Sequence, residues 1–133
     1  ELVNICRNMH LKLDDFLDVA VYYRRFEIVE WIINNFNLQK PMLIEALINC
    51  CSSNNIVSLL WILKSTDIKD INACNRYGET CLHAAARNNF EYCVSFLLTC
   101  AKCKTTVTDW NGLTPDKLTT SKEISNLIKA TDN

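Results

Sequence analysis

Asn75-Arg76-Tyr77-Gly78-Glu79-Thr80-Cys81-Leu82-His83 and Asp109-Trp110-Asn111-Gly112-Leu113-Thr114-Pro115-Asp116-Lys117 hold the only two glycines of the chain. Gly112 follows Gly78 by 34 positions, and each sits in the same frame: a polar residue, two variable residues, Gly, one variable residue, Thr. Self-similarity at about 33 residues is the mark of a stacked-repeat protein. Each repeat then touches only its neighbours, and the functional question becomes which face binds a partner.

Outward from these frames the apolar pattern is helical. Phe26 to Ile33, Ile56 to Leu63 and Cys93 to Leu98 carry apolar residues at helical spacing and form three similar helices. A shorter helix precedes each, at Asp15 to Tyr22, Pro41 to Cys51 and Cys81 to Arg87. Polar pairs join the helices: Arg24-Arg25, Asn54-Asn55 and Asn88-Asn89. Asn can take the left-handed conformation a tight turn needs where glycine is absent. Thr80 and Thr114 stand where an N-cap belongs, and Pro115 takes the first helical position. Asp70 to Ala73 and Thr105 to Thr108 read as extended lead-ins to the glycine frames. The unit is therefore hairpin, cap, short helix, tight turn, longer helix.

The bulk numbers bound the function. A chain of 133 residues is one domain's worth, and 49% hydrophobic residues are ample for a core. The net charge of -1, from 14 basic and 15 acidic residues, argues against binding nucleic acid by phosphate neutralisation. No apolar run reaches the roughly 18 residues that span a bilayer, so no membrane partner is expected. No basic-then-apolar signal segment opens the chain. It begins at Glu1 rather than Met, as a domain excised from a longer protein would. Eight cysteines could form a disulfide scaffold in a secreted chain. Cys50, Cys51, Cys81 and Cys93 lie instead within helical apolar patterns, where cysteine acts as a small buried hydrophobe. Free thiols and a reducing compartment, cytoplasmic or nuclear, follow.

Thr80-Cys81-Leu82-His83-Ala84-Ala85-Ala86 resembles the Thr-Pro-Leu-His-x-Ala-Ala signature of ankyrin repeats. The Gly78 frame and Asp70-Ile71-Asn72-Ala73 match the hairpin that precedes it, and Glu27 to Ile33 resembles a second helix. The resemblance implies an all-α ankyrin-repeat solenoid of helix-turn-helix units joined by β-hairpin loops. It divides a single domain, 1–133, into repeats at roughly 11–39, 40–73, 74–107 and 108–131. The first two are degenerate, lacking the glycine turn. The last has Asp116-Lys117 where Leu-His is usual and ends in a helix over Glu123-Ile124 to Leu127-Ile128, as a solvent-facing cap would. Residues 1 to 10 read as a helical N-cap or the remnant of a further repeat.

Each chemical motif has a plain structural alternative. His83 lacks a nucleophile or carboxylate at motif spacing. The resemblance gives it a structural role, bonding backbone and the cap Thr. Cys100-Ala101-Lys102-Cys103 is half of a zinc pattern, and Cys93, Cys74 or His83 would have to complete it. No metal and no cofactor are expected. No GxGxxG and no GxxxxGK[ST] is present, so no enzyme is expected either. Asp70-Ile71-Asn72 resembles the hairpin that asparaginyl hydroxylases modify in some ankyrin proteins, which makes Asn72 the candidate modification site. A structural Asn bridging adjacent hairpins is the alternative.

What remains is a protein-binding surface. The family alignment puts Tyr22, Tyr23, Ser53, Asn54, Arg87 and Asn88 on a concave strip, with Arg76, Tyr77, Trp110, Asn111 and Leu113 beside it. Tyr, Trp and Arg dominate interface hot spots. Partner-binding residues are therefore Tyr77, Arg87 and Trp110, with Arg76, Asn88, Asn111 and Leu113 around them. Trp31 and Trp61, on the second helices, are expected in the core. Leu82, Ala85, Val94, Leu97 and Leu98 are expected buried between repeats. The implied function is a non-enzymatic scaffold or adaptor that binds another protein or peptide, with no small-molecule substrate. The alternative is a stand-alone viral or bacterial ankyrin regulator that mimics a host inhibitor.

Overall fold

The computed structural model of the protein describes residues 13–68 and 70–131. The expectation for residues 1 to 10 lies outside them. Among the described residues there are seven α-helices: α1 (Leu13–Tyr22), α2 (Phe26–Asn35), α3 (Lys40–Ser52), α4 (Ile56–Ser65), α5 (Cys81–Arg87), α6 (Glu91–Thr99) and α7 (Lys122–Thr131). A single 3-10 turn, Pro115–Lys117, stands where the fourth pair's first helix belongs. Thr114 precedes it without capping it. The Thr114 hydroxyl donates to Asp116 Oδ1 at 2.5 Å instead, which spends the capping group within the turn.

The pairs reverse where the sequence places polar residues. Arg24, Asn54 and Asn89 all have left-handed backbone, with φ of 57°, 55° and 57°. In each turn the residue after the left-handed one sends its N–H back into the preceding helix: Arg25 to Ala20, Asn55 to Cys50 and Phe90 to Ala85. The orphan carbonyls of a helix end are satisfied this way.

The helices stack in two layers. The first helices run α1 on α3 on α5 on the 3-10 turn. Among the second helices, α2 packs on α4 and α6 on α7. Between the layers lies one apolar cluster that includes Leu17, Ile32, Leu47, Leu59, Ile62, Leu82, Leu97 and Ile128. Leu82, Ala85, Val94, Leu97 and Leu98 are all buried, as the repeat register requires. Short α5 shows why its composition is Ala-rich. Ala84, Ala85 and Ala86 have no exposed surface, so the helix is enclosed on several sides and only small side chains fit.

Trp31 and Trp61 meet the expectation in part. Both are half-buried. Trp31 packs edge-on against Phe36 at 5.7 Å, and Trp61 against Phe26 at 6.1 Å. Trp31 thus packs on the core and Trp61 on the neighbouring second helix, each with part of its indole in water.

Candidate partner-binding face

The two glycine frames fold identically. Asn75 Oδ1 accepts from the N–H groups of Tyr77 at 2.9 Å and Glu79 at 3.0 Å. Asp109 Oδ1 accepts from those of Asn111 and Leu113, both at 2.9 Å. Backbone bonds close each loop, Asn75 N to Glu79 O and Asp109 N to Leu113 O, both at 2.9 Å. Gly78 and Gly112 take φ of 74° and 75°, where a Cβ is disfavoured. The polar residue that opens each frame thus replaces the missing strand ladder with side-chain bonds.

These frames bring three of the expected residues together. Trp110 N–H donates to Tyr77 O at 3.1 Å, docking the second frame on the first. The indole lies against Gly78, where an added Cβ would meet Trp110 Cδ1 at 2.6 Å. The Tyr77 and Trp110 rings meet edge-to-face at 6.5 Å, and the Arg76 guanidinium lies 5.5 Å from the Tyr77 centroid. Tyr77 remains 57% exposed and Trp110 74%. Fixed aromatic rings left in water are large surface with little rotamer entropy to lose on binding.

The other expected residues are placed differently. Arg87 is exposed and paired with the Glu79 carboxylate, two positions from Tyr77. Asn88 is exposed, and its amide closes the end of α5 by donating to Ala84 O at 2.8 Å. Asn111 is exposed. Leu113 is half-buried, and its carbonyl faces His83 Nε2 at 3.0 Å. Asn72 Oδ1 accepts the Lys104 N–H at 2.7 Å, bridging successive connecting loops.

His83 is buried and fully engaged. Its Nδ1 accepts from the Thr80 N–H at 3.2 Å and lies 2.8 Å from the Thr80 hydroxyl. Because Leu113 O can only accept, the proton sits on Nε2. Thr80 and His83 form a reciprocal capping box in which histidine replaces the usual Glu or Gln. Cys100 is exposed while Cys103 is buried, because Lys102 is left-handed (φ 52°) and turns Cys103 back towards Leu97 O. No group of three His, Cys, Asp or Glu side chains placed to hold a metal occurs among the described residues.

A second aromatic station lies at the other end of the first-helix layer. Tyr22 and Tyr23, 70% and 65% exposed, meet edge-to-face at 5.0 Å. With Asp18, Val19, Asn49, Ser52 and Ser53 they line a shallow groove of about 400 Å³. Exposed Phe16 and Val19 were not singled out from the sequence. The signal was there: α1 is apolar at 16, 19 and 22 as well as at 17, 20 and 21, more faces than a core needs.

Paired helices stacked in two layers, with hairpin frames at one edge, define a repeat solenoid built to present a surface. The family model for ankyrin repeats, three copies, matches residues 17–115, and the chain belongs to that family. Among solved structures, a chain from the crystal structure of the yeast ribosomal protein Rps3 in complex with its chaperone Yar1 is similar, with a TM-score of 0.69. It is 16% identical, and the match covers 88% of this chain and 89% of that one, a likeness of fold. No curated protein sequence matches this one.

Proposed function

We propose that the protein is a non-enzymatic scaffold or adaptor that binds a partner protein or peptide through its hairpin tips and first-helix face. One observation carries the reading: Tyr77 and Trp110 are fixed by two congruent loops and yet remain in water. Nothing in the packing of the core requires those rings. Ankyrin repeats generally serve as interaction modules, and the similar solved structure comes from a complex between a ribosomal protein and its chaperone. Arg76 adds a cation beside the Tyr77 ring, and the surface on this reading takes in Arg87, Asn88, Asn111 and Leu113. On this reading the chain works in a reducing compartment, cytoplasmic or nuclear, where cysteines buried in helices, such as Cys50, Cys51, Cys81 and Cys93, serve as small apolar side chains. It needs no cofactor, and its partner is neither nucleic acid, membrane nor small molecule. No described helix is long and apolar enough to cross a membrane.

The test is affinity capture with mass spectrometry, followed by titration of the purified partner against variants. Tyr77→Ala and Trp110→Ala should each weaken binding by about thirtyfold, the equivalent of about 2 kcal/mol. Urea midpoints should barely move, and Glu91→Ala, on the second-helix surface, should bind as wild type. Variants that fold normally and bind at full strength would place the interface elsewhere, with the Tyr22–Tyr23 groove the next face to probe.

A further inference from the structure

The left-handed residue of each tight turn occupies an equivalent place, so its partners can be compared along the stack. Arg24 reaches the second turn, donating to Ser53 O at 2.5 Å and Asn54 O at 3.2 Å. Asn89 reaches the fourth pair's turn, donating to Thr120 Oγ1 at 2.8 Å and accepting from the Thr119 hydroxyl at 2.6 Å. Asn54 stands at the same position, but its side-chain oxygen is buried without a partner. The side-chain amides of the turn it should reach are engaged elsewhere. The Asn88 amide is spent on Ala84 O, and Asn89 is spent on Thr119 and Thr120.

The pattern recurs one residue later. Asn55 caps α4 and also donates to Val21 O at 3.1 Å, tying the second pair to the first. Phe90 holds the equivalent place in the third turn and has no group to send back to the second pair. Asn49 to Asp18 at 2.7 Å adds another bond at the first joint, and His83 to Leu113 another at the third. Among the described residues, no nitrogen or oxygen hydrogen bond joins residues 40–65 to residues 81–99. Thiols gather there instead: Cys51 of α3 lies near Cys81 of α5 and Cys93 of α6, all three buried. The closest packing at this joint runs through α3 and α5, whereas at the flanking joints the second helices also pack closely.

We propose that the stack opens at the joint between α3–α4 and α5–α6 before it unfolds, baring Cys51, Cys81 and Cys93 together. Between the helices opening there breaks apolar and thiol contacts only, with the Asn72–Lys104 bond in the connecting loops as the one polar tie among the described residues, and it gives the stranded Asn54 oxygen access to water. Each half keeps its own bonded joint and its own aromatic station. The proposal does not depend on which face a partner uses.

Labelling the intact protein with N-ethylmaleimide in native buffer, with peptide mapping, reads the opening directly. Amide hydrogen exchange of the slowest α2 and α6 amides reads global unfolding. The opening constant from the three thiols should exceed that from the amides by about tenfold or more. Equal constants would mean one global opening and would overturn the proposal. Asn54→Arg copies the Arg24 staple at a position whose backbone already suits arginine. It should lower thiol labelling and leave the slow amides unchanged. Undiminished labelling in a folded Asn54→Arg protein would sever the link between the missing staple and the opening.

Discussion

The joint between the second and third helix pairs and the joint between the third and fourth are made of different chemistry. At the latter, His83, Asn89 and the Tyr77 carbonyl each bond across to the next unit. At the former, thiols and apolar side chains meet between the helices, and the bond across it among the described residues is the one in the connecting loops, Lys104 N–H to Asn72 Oδ1. Both are closely packed, so burial alone does not distinguish them. Apolar contact is non-directional and tolerates sliding, whereas a buried hydrogen bond fixes one register and leaves a costly orphan when broken. A stack can therefore have uniform packing and uneven cooperativity.

The largest effect should come from removing the bonded joint's central group. His83→Ala deletes the capping box and the bond to Leu113, stranding the Thr80 N–H and leaving the Leu113 carbonyl only its bond from Asp109 N–H. The expected loss is about 2–4 kcal/mol in urea denaturation. A variant as stable as wild type would show that the bonds specify register without holding the joint.

The two glycines offer a smaller and more discriminating test. Both require positive φ, so alanine costs about 1 kcal/mol at either. At Gly78 the new Cβ would also meet Trp110 N at 2.9 Å, in the backbone that docks the two frames, whereas at Gly112 it meets nothing within 4 Å. Gly78→Ala should cost about 2–3 kcal/mol and Gly112→Ala about 1 kcal/mol. Equal losses would mean that the frame-to-frame contact adds nothing to the third joint.

Much of the fold was legible because its signals are local. The glycine frames, the helical apolar runs and Thr80 each act within a few residues, and the structure repeats their spacing. The left-handed turns were legible at Asn54 and Asn89. That Arg24 takes the same backbone follows from its place in the repeat rather than from its own preference. The loss of the fourth pair's first helix was less visible, since Thr114-Pro115 suits a helix start until Asp116 takes the hydroxyl. The site was partly legible. Exposed Tyr77 and Trp110 follow from their place beside the turn glycine. The engagement of Asn88 and the Arg87–Glu79 pair depends on side-chain reach, which spacing does not encode. Joint chemistry was invisible for the same reason: it depends on which residue faces which across 30 or more positions.

The smallest effect should separate the thiol joint from the bonded one by pH. The Cys51 thiol is pushed well above its ordinary value by its bonds to Cys81 and Cys93 and by burial. Burial likewise raises Cys50, and it pushes Cys103 up to about 12 from 9.0. A thiol raised in the fold keeps its proton where the unfolded chain has lost it, so the folded state binds more protons. Its stabilising contribution is complete below about pH 9, where the unfolded thiol is still protonated, and drains as pH rises towards the folded value. Each such thiol steepens the alkaline loss of stability by at most about 1.4 kcal/mol per pH unit. Cys51→Ala creates a small cavity and should be somewhat less stable than wild type at pH 7. Above about pH 9, under reductant, its stability should fall less steeply than that of wild type, by up to one proton's worth of slope. Lysine and tyrosine titration is common to both proteins and cancels in the comparison. Parallel curves would mean that Cys51 ionises in the fold as it does in the open chain, and the joint would then be wetter than its buried thiols imply.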